Sequence, residues 1–347
     1  MQWHALLWLP RKLRNLWLWR VRPHIAWFLS LRRALDQATF QWPDTAAEMG
    51  PRVVLFVHFD AAGEVRPYVL HYLRALREAG LSVLFVSNSG SLCAGALASL
   101  KSCCAGILVR RNVGYDFAAL REGLRHFALP RPETELLVLA NDSVYGPLGP
   151  LAPLLDRIDF AAADFWGATE SWQSRYHLQS FFMAAGPALL AHPAWAAFWR
   201  QVRPVPDKRW VITRYEVGIT QWMLKAGLRC AAAWPYDSLA RSVDPDLLQY
   251  RDSTERDVVD PMVSMRRRHA RRIRSGYARR VALNPTSDMW RQLLQAGFPF
   301  LKRELLRDNP THVSDVTDWR AVVAETSGAD VTPIERDLQR LVRNVAP

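Results

Sequence analysis

The first 35 residues contain no acid at all: the earliest is Asp36. No stretch runs the length of a membrane-spanning helix without a charge, which excludes a transmembrane helix from the expected architecture. A secretory leader is not expected either. In MQWHALLWLP the charges (Arg11, Lys12, Arg14) follow the apolar run instead of preceding it, and no small-residue cleavage site comes after. Cys93, Cys103, Cys104 and Cys230 show no metal-knuckle or disulfide-framework spacing, so the adjacent pair reads as inert thiols of a reducing compartment. No internal repeat, low-complexity segment or recognised nucleic-acid motif is found. These absences lead to a cytoplasmic protein without a span.

What is present is a large core and an excess of positive charge. Hydrophobic residues make up 50% of the 347 and charged residues 22%, which excludes global disorder and allows one large α/β domain with extensions. The net charge of +12 favours an anionic partner: a membrane surface, a phosphorylated ligand or nucleic acid, the last without a motif to support it. The amino terminus interleaves Trp3, Trp8, Trp17, Trp19 and Trp27 with Arg11, Lys12, Arg14, Arg20, Arg22, Arg32 and Arg33. That mixture suits the headgroup zone of an anionic bilayer; the alternative is a helical extension that packs its tryptophans on the domain. Pro10 and Pro23 leave only short amphipathic pieces.

From Arg52 the pattern is regular. The run VVLFVHF predicts a strand, Val65 to Ala79 a helix stopped by Gly80, and Leu81 to Ser89 a second strand with a Ser-Asn-Ser tip. A helix over Cys93 to Ser102, the strand GILVR, a helix over Phe117 to Phe127 and the buried strand LLVLA (Leu136 to Ala140) complete a Rossmann-like half. Asp60, Asn88, Asn112 to Asp116 and Asn141 to Ser143 all fall just past strand ends, where open α/β sheets place their ligands. Further on, PLLDRI predicts a helix, DFWGATES a strand, and Tyr176 to Ala185 a strand carrying His177 and Gln179. Helices are expected over Pro187 to Val202 and Thr213 to Ala226, the latter with Glu216 in its first turn, and a closing strand at RCAAAWPY. Ser242 to Asp260 reads as a loop, and Met265 to Arg280 holds eight arginines and no acid, either a solvated face or a phosphate contact. The expected division is an extension over 1–50, the main domain over 51–240, a loop and Arg-rich segment over 241–282, and a helical region over 283–347.

Four stretches, RNVGYDFAALREGL, LLVLANDSVYGPLGPL, HLQSFFMAA with RYEVGITQ, and NPTSDMWRQLLQAGFPFLKRELLRDNP, resemble the rhamnan synthesis protein F family of bacterial polysaccharide glycosyltransferases. The resemblance implies a GT-A-like fold and transfer of a sugar, such as rhamnose, from a nucleotide-sugar donor to a growing O-antigen, rhamnan or related glycan. The acceptor would be lipid-linked or glycan, met on the inner face of the inner membrane. The alternative is a non-catalytic scaffold of polysaccharide assembly that keeps the fold without the chemistry.

Transfer from a nucleotide diphosphate requires a neutralised leaving group, a donor held in line and an acceptor hydroxyl that loses its proton. Asp142 occupies the position of the GT-A Asp-x-Asp motif and is the expected ligand of Mg²⁺ or Mn²⁺. Here that motif is Asn141-Asp142-Ser143, with a single carboxylate, so a cationic side chain could serve instead. Asn112 and Asp116 are expected to meet nucleotide or sugar hydroxyls, with Gly114 allowing close backbone approach; Asp116 could equally cap the helix that follows. Asp60, Asn88, Asn141, Ser143 and Gln179 complete the expected binding set. Glu216 is the candidate general base, although a first-turn Glu also favours its helix dipole, and His177 is the competing base.

Overall fold

The computed structural model describes Trp17, residues 21–243 and residues 261–343. Trp3, Trp8, Trp19 and most of the expected loop over Ser242 to Asp260 lie outside the described residues.

The framework is one sheet whose strands run β1 (Ala38–Trp42), β2 (Arg52–His58), β3 (Ser82–Ser87), β4 (Gly106–Arg110), β5 (Leu136–Asn141), β7 (Phe165–Ser171), β9 (Phe182–Ala185) and β10 (Cys230–Trp234). Their spatial order is β1-β4-β3-β2-β5-β9-β7-β10, with the two-residue β8 (His177–Leu178) attached to β7. The four strands of the Rossmann-like half pair in parallel, as the strand–helix–strand spacing predicts. β9 runs antiparallel between β5 and β7, so β5, β7 and β10 point the same way and end at one edge. The expected α/β sheet flanked by helices is what forms, with parallel pairing concentrated in β4-β3-β2-β5 and in the β7–β10 pair.

Alternation along the buried strands feeds two cores. Val54, Phe56, Val83, Phe85 and Val138 face one side of the sheet, while Val53, Leu55, Leu84, Val86 and Leu139 face the other. Such two-sided burial explains why these strands read as continuous apolar runs.

Several expected elements are redrawn. Tyr176 to Ala185 splits into β8 and β9, because the Gln179 amide hydrogen-bonds to Thr169 O (3.0 Å) and the chain turns there. The helix over Pro187 to Val202 breaks at His192, whose backbone is extended and whose Nδ1 accepts from Ala194 N at 3.2 Å, capping a second helix that starts with Pro193. β1 lies outside the expected pattern: it joins antiparallel to β4 and ties part of the 1–50 extension into the sheet. Trp27 stacks on Trp210 (5.7 Å between ring centres), and Arg22 pairs with Asp207 at 3.4 Å. That portion of the extension therefore packs on the domain.

The carboxyl-terminal region wraps back onto the expected binding edge. A two-residue strand, β11 (Leu301–Lys302), pairs antiparallel with β6 (Val144–Tyr145), just beyond the tip of β5. Leu148 N donates to Pro299 O (2.7 Å) and Arg303 N to Ser143 O (3.1 Å). Gly146, at φ +131°, permits this approach, since a Cβ there would lie 2.5 Å from Pro299 O. The Arg-rich segment is a helix, Pro261–Ala278, and part of its charge is spent internally. Arg266 pairs with Asp318 (Nε, 3.0 Å) and Arg272 with Asp288 (2.9 Å).

Candidate functional site

At the carboxyl edge of β5, Asn141 donates from Nδ2 to Asp116 Oδ2 (2.9 Å) and accepts at Oδ1 from the Ser143 hydroxyl (2.6 Å). Ser143 Oγ in turn accepts from Lys302 Nζ at 3.0 Å. Asp142 Oδ2 takes a long hydrogen bond from Phe59 N (3.4 Å) and lies 3.6 Å from Arg303 Nη1, which also donates to the Asp142 carbonyl (3.0 Å). Arg303 is framed by the rings of Tyr68 and Tyr145 and reaches Asp337 at 3.4 Å, while the Tyr145 hydroxyl donates to Asp337 at 2.7 Å. The Arg303 Nε is buried with no hydrogen-bond partner among the described residues.

The electrostatics of this cluster are strained. Burial, with Asp142 and Glu216 adding like charge, pushes the Asp116 carboxyl up to about 7 against the pull of Lys302. Burial also pushes Asp142 up to about 6, only partly opposed by Arg303. Burial draws the Lys302 ammonium down, against the attraction of Glu216, Glu304 and Asp116. Glu216, Glu304 and Asp116 thus act on one half-buried lysine.

Local backbone geometry sets the positions. Gly114 (φ +88°) and Tyr115 (φ +56°) are successive left-handed residues at the start of the Tyr115–His126 helix. A Cβ on Gly114 would come within 2.4 Å of Pro204, so glycine is needed there for space as well as for φ. Left-handed backbone at a residue as bulky as tyrosine is strain of the kind that collects at functional sites. Asp116 makes no capping hydrogen bond to this helix.

Glu216 is not in a first turn. Asp207 caps the helix nine residues earlier, accepting from Trp210 N at 3.0 Å, and the chain then forms a π-helical stretch, Val211–Glu216, before returning to α-helix over Val217–Lys225. The helix-dipole account of Glu216 therefore falls away. The residue sits at a π–α junction, a distortion frequent at functional sites, and its Oε1 accepts from the Ser180 hydroxyl at 2.9 Å.

Other expected site residues are placed elsewhere. Asn88 is 1% exposed, and its Oδ1 accepts from Arg110, which is also paired with the buried Glu122; it belongs to the core and not to the cleft. Asp60 is held by Arg66 (3.0 Å) and by the amides of Ala62 and Glu64, an internal use of its carboxylate. Asn112 is exposed in the turn before Gly114. His177 is buried, its Nδ1 donating to Arg175 O at 2.8 Å. Gln179 accepts from Thr169 (2.7 Å) and donates to Asn284 Oδ1 (3.1 Å), joining the sheet edge to the Asn-Pro-Thr turn. Lys302, Arg303 and Ser180 join the site without being among the expected residues. Their only sequence signal was membership of the FPFLKRELL and HLQSFFMAA stretches, which says nothing of proximity to Asp142.

Among the described residues one group of metal-capable side chains converges in threes, Asp36, Glu122 and His126, and Asp142 is not part of it. Arg110 and Arg125 already pair with Glu122 and Asp36.

The family model of rhamnan synthesis protein F matches residues 83–253, which include Asp116, Asp142 and Glu216. The Lys302 and Arg303 tail lies beyond the matched rhamnan synthesis region. The chain is also similar to virulence protein VirA of Vibrio anguillarum, 29% identical over 66% of this chain and 70% of VirA. Uncharacterized protein y4gN of Sinorhizobium fredii is 31% identical over 43% of this chain and 40% of its own length. Among solved structures, mannosyltransferase PcManGT from Pyrobaculum calidifontis, in complex with GDP-Man and Mn2+, aligns over 94% of this chain and 88% of its own, with 13% identity and a TM-score of 0.35. S. aureus TarS 1-349 aligns over 80% and 92%, with 11% identity and a TM-score of 0.32.

Proposed function

We propose that this protein is a GT-A-like glycosyltransferase that moves a sugar, such as rhamnose, from a nucleotide-sugar donor onto a growing cell-surface polysaccharide. The observation that carries this reading is the convergence of Asp116, Asp142, Glu216 and Lys302 at one sheet edge, with both aspartates pushed up by burial. The match of residues 83–253 to the rhamnan synthesis protein F model supports the polysaccharide as the product.

The acceptor hydroxyl attacks the anomeric carbon and gives its proton to the Glu216 carboxylate. The bond to the diphosphate breaks, and its electron pair leaves on the phosphate oxygen. A single displacement of this kind inverts the anomeric centre. Ser180 orients Glu216 through the hydrogen bond to Oε1. Lys302 and the unpartnered Nε of Arg303 offer positive charge and a donor to the departing phosphate. Asp116 and Asp142, carboxylates that burial leaves short of counter-charge, are the oxygen groups that would hold a hard divalent cation. A Mg²⁺ or Mn²⁺ held by them would neutralise the leaving group. Calorimetry over a panel of nucleotide sugars, with and without Mn²⁺, tests the reading on the parent and on Asp142→Asn. The parent should bind one donor more tightly with Mn²⁺, and the variant should lose that gain together with sugar transfer. A parent that binds no donor would instead be the non-catalytic scaffold.

Association with an anionic membrane surface is part of the same proposal. On the helix Arg22–Ser30, Ile25, Phe28 and Leu29 are exposed apolar side chains next to exposed Arg32 and Arg33. Among the described residues no helix is long and apolar enough to cross a membrane. Replacing Ile25, Phe28 and Leu29 together by serine should weaken flotation with phosphatidylserine vesicles. Equal flotation of parent and variant would remove this helix from the interface.

A further inference from the structure

A cavity of about 630 Å³ opens past the ends of β7 and β10, lined among others by Trp172, Tyr236, Asp237, Tyr277 and Arg280. It lies at the same edge of the sheet as Asp142. Trp172 directly follows β7 and Tyr236 closely follows β10, and both strands run in the direction of β5.

A continuous path joins it to the candidate base. Glu216 is bonded to Ser180; the neighbouring Gln179 donates to Asn284; and Leu283 N donates to the Tyr236 hydroxyl at 3.2 Å. Glu216 is thus tied by charge to Asp116 and, through Ser180, Gln179 and Asn284, to the segment whose Leu283 meets Tyr236 in the cavity wall.

The lining has the chemistry of a sugar site. Trp172 is 53% exposed, far more than packing calls for, and Tyr176 supports it from one side (5.0 Å between ring centres). Tyr236 and Tyr277 lie 6.4 Å apart, and Asp237 and Arg280 supply charged groups to the rim. A pyranose shows a C–H face that carries partial positive charge and meets the negative face of an aromatic ring, while its equatorial hydroxyls reach out to charged rims. The size is that of a ligand pocket and not of a packing defect.

We propose that this cavity is a carbohydrate subsite in which Trp172 stacks on a sugar ring of the acceptor glycan, directing its terminal hydroxyl toward Glu216. That the glycan is an acceptor rests on the transferase reading; that it is a glycan rests on the lining alone. The test titrates a rhamnose tetrasaccharide, with maltotetraose as the comparison sugar, into the full chain by saturation-transfer NMR, without any donor. Trp172→Ala, a change at an exposed ring, should weaken tetrasaccharide binding about tenfold, the worth of one aromatic contact, and leave nucleotide-sugar binding as it is. Equal binding by parent and variant would overturn the subsite, as would a parent that shows no transfer signal at millimolar tetrasaccharide. Binding through Trp172 in a protein that takes no nucleotide sugar would keep the subsite and discard the transferase.

Discussion

Two clusters of charge lie past strand ends at one edge of the sheet, and they are built in opposite ways. Around Arg110 everything is matched. Its Nε meets Glu122, one Nη meets Asn88, and the other donates to Val113 O at 2.8 Å, while Glu122 also accepts from Gln37 N. Burial presses on this pair too, pushing Glu122 up and Arg110 down, but each faces its counter-charge. Around Asp116 burial acts together with the like charges of Asp142 and Glu216, and Lys302 opposes them only in part, while Arg303 stands against Asp142. A cluster that leaves charge unmatched is a cost the fold bears for a ligand; one that closes on itself is structural. The difference also explains their placement. Through Val113 the closed cluster fastens the turn that leads into Gly114 and Asp116, so it holds the open one in position.

The sharpest break of this comparison is Glu122→Ala. Arg110 would keep its charge at 0% side-chain exposure without a carboxylate, and loss of one partner of a buried pair costs roughly 3–5 kcal/mol. Urea unfolding should show a loss of that order, and the Gly114 turn should loosen with it. A loss under about 1 kcal/mol, the scale of an exposed pair, would mean that the cluster is not the closed structural unit described.

The sequence revealed the two clusters unequally. β2, β3, β4 and β5 were legible because strands buried on both faces leave unbroken apolar runs, and the acid at a strand tip marked Asp142. A Ser-Asn-Ser tip has the composition of a ligand loop, yet Asn88 is buried against Arg110. The arginine that claims it comes from a neighbouring strand, a contact 22 residues away in sequence. Lys302 and Arg303 were invisible as site residues because a two-residue pairing of β11 with β6 brings them in from 159 and 161 positions away. Before a helix, a Lys-Arg pair reads as ordinary surface charge. The π stretch before Glu216 leaves no pattern in residue type, so a helix start was inferred where the chain had already turned twice.

A smaller effect, Asp116→Asn, sharpens the comparison because it predicts a gain. The folded protein raises this carboxyl from its ordinary 3.8 to about 7. The unfolded chain therefore ionises it first, and the contribution to stability is full below about pH 4 and lost as pH rises through 7. Asparagine cannot ionise, and its carbonyl oxygen can still accept from Asn141 Nδ2. The variant should then be more stable than the parent by roughly 1–3 kcal/mol at pH 8, the full three-unit shift being discounted for partial exposure, and indistinguishable from it at pH 4. Thermal melts at the two pH values read this directly, and sugar transfer should fall while stability rises. A variant that is less stable at pH 8 would show that Asp116 is matched in the fold after all, by Lys302, and the line between the open and closed clusters would disappear.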